Sequence, residues 1–174
     1  MTVDEFLVWA EAQEGRYELH NGEVFSMAAE RTIHAEMKFA VQSALQEGIR
    51  RAGLPCFMLP DGMTVRISDD TAHEPDALVY GGPKLPANAI EVPNPVIVVE
   101  VLSPSTRGID ASRKLAGYFN LPSLHHYLIV DPEKPPLIHH QRQDDGTILT
   151  RLVGDGRVRF DPPGFEIEVG PLFA

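Results

Sequence analysis

Two acidic residues stand where a folded chain can use carboxylates for chemistry. Glu100 interrupts the apolar run from Val96 to Leu102, and Asp76 follows Pro75 at the start of another strand-like segment. A carboxylate buried in a strand is costly unless a cation faces it. That cation can be a lysine, an arginine, or a metal ion shared with a second carboxylate. A strand end that reaches solvent, and turn chemistry after the proline, are the alternatives that the local sequence leaves open.

Lys114 is the first candidate for a cation near Glu100. It lies in a helical segment after the apolar run, where Asp110, Lys114 and Tyr118 are spaced by about one turn and share one helix face. Lys114 could therefore lean back over the end of the strand. On local sequence alone, the alternative is an exposed ion pair between Asp110 and Lys114, which contributes little to stability.

The elements before Asp76 carry clear local signals. Thr2 and Glu5 have the spacing of a capping box, which predicts a short N-terminal helix. Asn21-Gly22 suits the two-residue turn of a hairpin between Arg16 to His20 and Glu23 to Met27. Apolar residues at helical spacing predict the longest helix, from Glu30 to about Ala52. Short strand candidates follow it: Cys56 to Leu59, Met63 to Ile67, and Asp76 to Tyr80, separated by Pro60-Asp61-Gly62 and by the polar connection Ser68 to Ala72.

The apolar run around Glu100 has the composition of a central strand covered on both faces. A helix is predicted from Asp110 to about Asn120, and another apolar strand from Leu124 to Val130. This strand, helix, strand order predicts a crossover that pairs the two strands in parallel. From Leu137 onward, the turn signals predict an antiparallel meander.

Length and composition limit the class of protein. The 174 residues fit a single domain, residues 1–174, with enough chain for a sizeable core. No apolar stretch is long enough for a membrane span, and the N-terminus lacks the pattern of a signal peptide, so we expect a cytoplasmic protein. Cys56 is the sole cysteine and can form no internal disulfide.

The net charge of −10 argues against a protein that coats nucleic acid nonspecifically, because phosphate affinity comes from cationic side chains. A metallonuclease is still compatible with it. Such an enzyme concentrates carboxylates at its metal site, and its DNA-facing arginines can form a local patch. Candidates for such contacts are Arg107, Arg113, Arg157 and Arg159, and the alternative is that these arginines belong to an ordinary solvated surface.

A combination of motifs resembles the Uma family, described as putative restriction endonucleases, within the PD-(D/E)XK nuclease superfamily. The resemblance extends from about residue 3 to residue 172. The residues that carry it are Tyr17-Glu18-Leu19-His20-Asn21-Gly22-Glu23, the helix containing His34, Pro75-Asp76, Glu100, Ser103-Pro104-Ser105-Thr106, Lys114, Tyr118 and Val130-Asp131-Pro132.

The resemblance implies an α/β (mixed α+β) restriction-endonuclease-like fold, with a central mixed sheet flanked by helices. It also implies that Asp76 and Glu100 are catalytic ligands of Mg²⁺ or Mn²⁺, with Glu18 completing the carboxylate set. Hard oxygen ligands suit these ions. Leu102 stands where the superfamily motif has lysine, and the resemblance assigns that catalytic role to Lys114. An exposed hairpin glutamate is the alternative for Glu18.

Histidines are accessory candidates at most. His34 lies one turn before Lys38 on the long helix and could face the same pocket, although a lone helical histidine is commonly structural. The pairs His125-His126 and His139-His140 lack the spacing of a zinc site, because adjacent strand residues point to opposite faces. No glycine-rich phosphate loop or nucleophile elbow is present in the sequence.

The first hypothesis is therefore a metal-dependent DNA endonuclease that hydrolyses phosphodiester bonds. Tyr118 would pack or contact beside Lys114, and a homodimer is expected because duplex cleavage needs two sites. The alternative is a catalytically inactive interaction or nucleic-acid-binding module with the nuclease fold. A different metal-dependent phosphodiesterase is a third hypothesis.

Overall fold

The computed structural model describes residues 1–103 and 109–174. It has three α-helices, α1 (Val3–Glu11), α2 (Thr32–Ala52) and α3 (Ile109–Phe119), among these residues. A short 3₁₀ helix spans Gly170–Phe173. The predicted capping box is confirmed, since the Thr2 hydroxyl accepts from the amide of Glu5 and the Glu5 carboxylate accepts from the amide of Thr2. No helix of the described ranges combines the length and the apolar character needed to cross a bilayer.

The strands fall into three sheets. In chain order they are β1 (Tyr17–His20), β2 (Glu23–Ser26), β3 (Cys56–Pro60), β4 (Val65–Ser68), β5 (Thr71–His73), β6 (Ala77–Gly81), β7 (Pro95–Val101), β8 (His126–Val130), β9 (Leu137–Arg142), β10 (Ile148–Val153), β11 (Arg157–Phe160) and β12 (Phe165–Glu168).

The central sheet has six strands in the order β10-β9-β8-β7-β6-β3. Its β7 and β8 run parallel, with Glu100 level with Ile129, and the other neighbours are antiparallel. The predicted parallel crossover through α3 is confirmed. Four of the seven residues of β7 are valines, and most of the strand is buried, as its composition predicts.

Both faces of the central sheet are covered. Helix α2 packs on one face through Met37, Val41, Leu45 and Ile49, in a core shared with the β11–β12 ribbon. The other face meets α3, whose Tyr118 is fully buried among sheet residues. The mixed α+β architecture with helices flanking a mixed sheet is therefore confirmed.

The smaller sheet, in the order β2-β1-β5-β4, differs from expectation in one strand. The segment containing β5 was expected to be a polar connection, and that prediction is wrong. Thr71, Ala72 and His73 are all buried, because β5 lies between β1 and β4. Three residues are too few for a visible alternation of apolar and polar side chains.

The C-terminal meander is also corrected. The hairpins β9–β10 and β11–β12 form as the turn signals predict, but β11 and β12 make a separate two-stranded ribbon. The ribbon packs on α2 because Val158, Phe160, Phe165 and Ile167 are buried in the same core. Local turn signals specify each hairpin and carry no information about how two hairpins pair.

Candidate active site

The register between β6 and β7 brings Asp76 to the level of Glu100. Ala77 pairs with Val99 in this antiparallel ladder, and the Asp76 amide donates to the Val99 carbonyl at 3.0 Å. Extending the register by one residue sets Asp76 opposite Glu100, where side chains point to the same face. Residues separated by a long loop in the chain thus become neighbours through strand pairing.

Asp76 is nearly buried, and each of its two carboxylate oxygens has its own partner. Oδ2 accepts from the Val101 amide at 2.7 Å, and Oδ1 lies 3.3 Å from Nζ of Lys38. Burial raises the pKa of Asp76, although the Val101 amide and the Lys38 charge act against the rise. These two contacts hold the Asp76 carboxylate in one orientation beside the C-terminal end of β7.

Glu100 is the second carboxylate, and its side chain is 14% exposed. Its Oε1 accepts from the Tyr118 hydroxyl at 2.7 Å and from Nζ of Lys114 at 3.2 Å. Burial raises the pKa of Glu100, and the charges of Glu18 and Asp76 add to the rise, while Lys114 and Tyr118 oppose it. A cation facing Glu100 is therefore present, as its position in an apolar strand predicts.

Glu18 joins the same group from β1. Its Oε1 accepts from Nζ of Lys114 at 2.9 Å and from the Glu74 amide at 2.9 Å. The exposed alternatives for both side chains are wrong, since Glu18 is 15% and Lys114 is 8% exposed. The Asp110 side chain, part of the alternative for Lys114, lies outside the described part of the chain.

Tyr118 is placed one helical turn beyond Lys114, as the spacing predicts. Its ring is fully buried between His73, at a centroid distance of 5.5 Å, and Tyr127, at 5.1 Å. Burial and the nearby Glu100 charge raise the pKa of Tyr118 well above its ordinary value. The hydroxyl therefore stays protonated and donates to Glu100.

His34 contacts the backbone at the C-terminal end of β7 rather than the carboxylate of Asp76 or Glu100. Its Nε2 is 2.7 Å from the Val101 carbonyl, which can only accept, so Nε2 carries the hydrogen. Its Nδ1 is 3.7 Å from Oε1 of Glu30. The Val101 amide donates to Asp76. His34 and Asp76 thus bind the carbonyl and the amide of Val101, the residue that follows Glu100.

Sequence reasoning missed a second set of charged residues next to Asp76. Lys38 is 5% exposed and contacts Asp61, Asp76 and Glu30, and Arg16 contacts Asp61 at 2.5 Å and Glu74 at 3.1 Å. One signal was available, because His34 and Lys38 are four residues apart and share a face of α2. The sequence around Asp61 gave no such signal, because its proline and glycine neighbours indicate an ordinary turn.

The whole group carries an excess of negative charge. When all of its charged side chains are ionised and histidine is neutral, the carboxylates outnumber the cations by three. The cations are Arg16, Lys38 and Lys114, and the carboxylates are Glu18, Glu30, Asp61, Glu74, Asp76 and Glu100. Such an excess at partly buried positions attracts further cations.

The donors suit a hard divalent ion. Mg²⁺ is commonly held by one or two carboxylates, with water and substrate phosphate supplying the remaining oxygens. Asp76 and Glu100 can provide such a pair, and the acidic excess favours it. Within residues 1–103 and 109–174, no three or more histidine, cysteine, aspartate or glutamate side chains are arranged to hold a metal by themselves. Glu18 as a third ligand stays a prediction.

Of the arginines predicted to contact DNA, Arg157 and Arg159 lie away from the carboxylates. Arg157 and Arg159 line a cleft with Arg51, near the C-terminal end of α2. Lys38 and Arg51 are 13 residues apart on α2, which corresponds to about 20 Å. Arg113 is exposed on α3. Arg107 lies outside the described residues.

Comparisons with known proteins agree with this architecture. A family model, Uma2, described as "Putative restriction endonuclease", matches residues 3–170. Two uncharacterized proteins of Synechocystis sp. (strain ATCC 27184 / PCC 6803 / Kazusa) are similar in sequence. The first, sll1609, is 28% identical over 89% of each chain. The second, slr1290, is 25% identical over 86% of this chain and 78% of its own length.

A solved structure has the same fold. It is described as a "putative nuclease belonging to DUF820" from Anabaena variabilis ATCC 29413, and it superposes with a TM-score of 0.74. The match covers 99% of this chain and 97% of that chain at 16% sequence identity. The predicted restriction-endonuclease-like fold is thus confirmed.

Proposed function

Because the chain belongs to the Uma2 family, described as putative restriction endonucleases, we propose that it is a metal-dependent endonuclease that hydrolyses phosphodiester bonds of DNA. The observation that carries the proposal is the carboxylate pair of Asp76 and Glu100. The two lie at the same level of adjacent strands, and the Asp76 charge raises the pKa of Glu100. Two carboxylates that lie close together at the ends of adjacent strands are suited to a divalent ion that also contacts a phosphate.

Asp76 and Glu100 would hold Mg²⁺ or Mn²⁺, with Glu18 as a further candidate. When bound, such an ion supplies Lewis acidity toward the scissile phosphate and lowers the pKa of an attacking water. Tyr118 keeps Glu100 oriented through its hydrogen bond at 2.7 Å. His34 supports the same strand end through the Val101 carbonyl.

Lys114 is the candidate for the lysine role that Leu102 cannot fill. Its ammonium group touches Glu18 and Glu100 and is therefore beside the proposed ion site. From there it can orient a water or stabilise charge that develops on the phosphate. A positively charged group at low exposure is effective for this purpose, because water screens it little.

Substrate, assembly and location are parts of the same proposal. Membership in the family supports a nucleic-acid substrate, and DNA is the proposed one. We expect a homodimer, since two sites are needed to cut both strands of a duplex. We also expect action in the cytoplasm.

The test is cleavage of supercoiled plasmid by the full chain with Mg²⁺, with Mn²⁺ and with EDTA. Asp76→Asn should reduce metal-dependent nicking at least about 100-fold, because one ligand of the ion is lost. Asp69→Asn is the matched control, since Asp69 is exposed. Cleavage that persists in Asp76→Asn would overturn the assignment of the site.

A non-catalytic module is the second candidate. It is favoured by one observation, that lysines already neutralise the carboxylates, with Lys38 on Asp76 and Lys114 on Glu100. In the plasmid assay, such a module would bind DNA and cut nothing in any divalent ion. Parallel assays on RNA and on small phosphodiesters with Mn²⁺ distinguish a different phosphodiesterase from both.

A further inference from the structure

Lys38 has an unusual environment for a lysine. Its side chain is 5% exposed, and its ammonium group is in contact with carboxylates of three separate chain segments. Asp76 lies at the start of β6, Asp61 follows β3, and Glu30 precedes α2. The chain thus gathers three acidic groups around one buried positive charge.

The ammonium group of Lys38 contacts three carboxylates at once, whereas an ordinary ion pair joins one cation to one carboxylate. Oδ1 of Asp76 is 3.3 Å from Nζ, Oδ2 of Asp61 is 2.6 Å from it, and Oε1 of Glu30 also contacts it. Each carboxylate contributes one oxygen. Hard divalent cations are bound by the same type of oxygen donors in proteins.

Asp76 contacts the ammonium group of Lys38 and is also a proposed ligand of the metal ion. Enzymes with two ions hold them about 3.5–4 Å apart and often share a carboxylate between them. Here the Oδ1 atom of Asp76 already faces the ammonium group of Lys38. A second divalent ion at that oxygen would overlap with the Lys38 side chain and would be repelled by its positive charge.

We propose that Lys38 is a positioning residue that occupies a second cation position beside Asp76, so that the site takes one divalent ion rather than two. The inference rests on the proposed function, since it assumes an ion at Asp76 and Glu100. Lys38 supplies a permanent positive charge that orients Asp76. The protein then needs a single exchangeable ion.

The experiment is to count bound Mn²⁺ ions per chain, by calorimetric titration and by electron paramagnetic resonance of free Mn²⁺. The wild-type chain should bind one ion. Lys38→Met should bind two, because its removal leaves the carboxylates of Glu30, Asp61 and Asp76 without their shared cation. Lys38→Arg should restore a stoichiometry of one.

Two control variants make the result specific. Arg16→Met removes a positive charge from the same network, but Arg16 contacts Glu30, Asp61 and Glu74 rather than Asp76. It should keep one ion. Lys38→Met combined with Asp61→Asn removes a carboxylate as well as the lysine, and it should return the stoichiometry to one.

The possible results separate this inference from the proposed function. One ion in both the wild type and Lys38→Met, or two in the wild type, would overturn the role of Lys38 and leave the nuclease proposal intact. No ion in the wild type would overturn both. If Lys38→Met loses its fold by circular dichroism, Lys38→Gln takes its place: two ions are then expected, and one ion would overturn the role of Lys38.

Discussion

Tyr118 donates its hydroxyl hydrogen to Oε1 of Glu100 across 2.7 Å, from a ring that is fully buried. A helix on one face of the central sheet is thereby joined to the acidic residue of the central strand. The contact orients Glu100 and reduces the cost of its burial, because a hydrogen bond to a charged acceptor is stronger than one to a neutral acceptor.

Tyr118→Phe should lower the free energy of unfolding by about 1.5–3 kcal/mol in metal-free buffer, because Glu100 loses a donor that solvent cannot replace. Urea denaturation at about pH 9 measures the change, because burial raises the pKa of Glu100 to about 8 and the carboxylate is ionised above that value. Tyr80→Phe is the matched control, since the Tyr80 hydroxyl accepts from the neutral Leu85 amide at 3.2 Å. Its loss should be smaller, about 0.5–1.5 kcal/mol. Equal losses in the two variants would contradict a charge-assisted bond at Glu100.

Glu100→Gln should make the metal-free protein more stable at pH 7, by about 1 kcal/mol or more. Burial raises the pKa of Glu100 above the value in the unfolded chain, so folding loses stability from this group as the pH rises. Glutamine keeps the shape without the charge, while Lys114 keeps its contact with Glu18. Thermal unfolding in EDTA measures the gain, with Glu36→Gln, at an exposed position of α2, as control. A less stable Glu100→Gln would mean that the ion pair with Lys114 outweighs burial.

Mg²⁺ should raise the Tm of the wild-type chain and leave the Tm of Glu100→Gln unchanged. An ion that binds only the folded state stabilises it by about 2.7 kcal/mol at 100 times its Kd. Scans with EDTA and with increasing Mg²⁺ test this without any assay of cleavage. An equal rise in both proteins would place the ion elsewhere.

Gly48→Ala should destabilise the fold by about 1–3 kcal/mol through overpacking, although alanine favours a helix over glycine by about 1 kcal/mol. An added Cβ would lie 2.6 Å from Cδ2 of Phe165 and 3.1 Å from the Glu166 carbonyl oxygen. The ribbon of β11 and β12 would have to move away from α2. Ser43→Ala, at an exposed position of the same helix, should change stability by less than about 0.5 kcal/mol. A stabilised Gly48→Ala in urea denaturation would rule out this close packing.

His126 and His139 should make the fold sensitive to mild acid. Nε2 of His126 donates to the Pro162 carbonyl at 2.8 Å, so its Nδ1 accepts from Nε2 of His139 at 2.9 Å. The contact between the rings is lost when both are protonated, because Nδ1 of His126 and Nε2 of His139 then both carry hydrogens. Burial lowers the pKa of His126 to about 4 and that of His139 to about 3.

The pKa values of His126 and His139 in the folded protein both lie below the ordinary value of 6.5. The unfolded chain therefore binds more protons than the folded protein in mild acid. The stabilising contribution is complete above about pH 6.5 and falls as the pH decreases, by about 2 kcal/mol per histidine at pH 5. His139→Gln should therefore lose roughly half of this pH dependence between pH 7 and pH 5, as measured by urea denaturation. An unchanged pH dependence would show that other groups cause it.

The local elements around the site could be predicted because their signals lie within a few residues. Asn21-Gly22 has the positive φ angles that its turn requires, 49° and 77°. Glu100 could be singled out because a charge inside an apolar strand needs a partner. The spacing of Lys114 and Tyr118 indicated where that partner would come from.

Other parts of the site could not be predicted, because their contacts join distant segments. The amide of Glu74 on Glu18, and the grouping of Asp61 and Glu30 around Lys38, depend on how the two sheets and α2 pack together. Lys38 is the clearest case, since a lysine on a helix is ordinarily exposed. Its burial follows from three acidic neighbours that come from elsewhere in the chain.

The sequence by itself determined most of the helices and strands and the burial of Glu100, because periodicity, caps and turn residues act over short distances. Only the tertiary structure decided which cations neutralise which carboxylates, and that the C-terminal ribbon packs on α2 instead of extending the sheet. Electrostatic and packing energies depend on distances between residues far apart in the chain, and these distances exist only once the strands have paired.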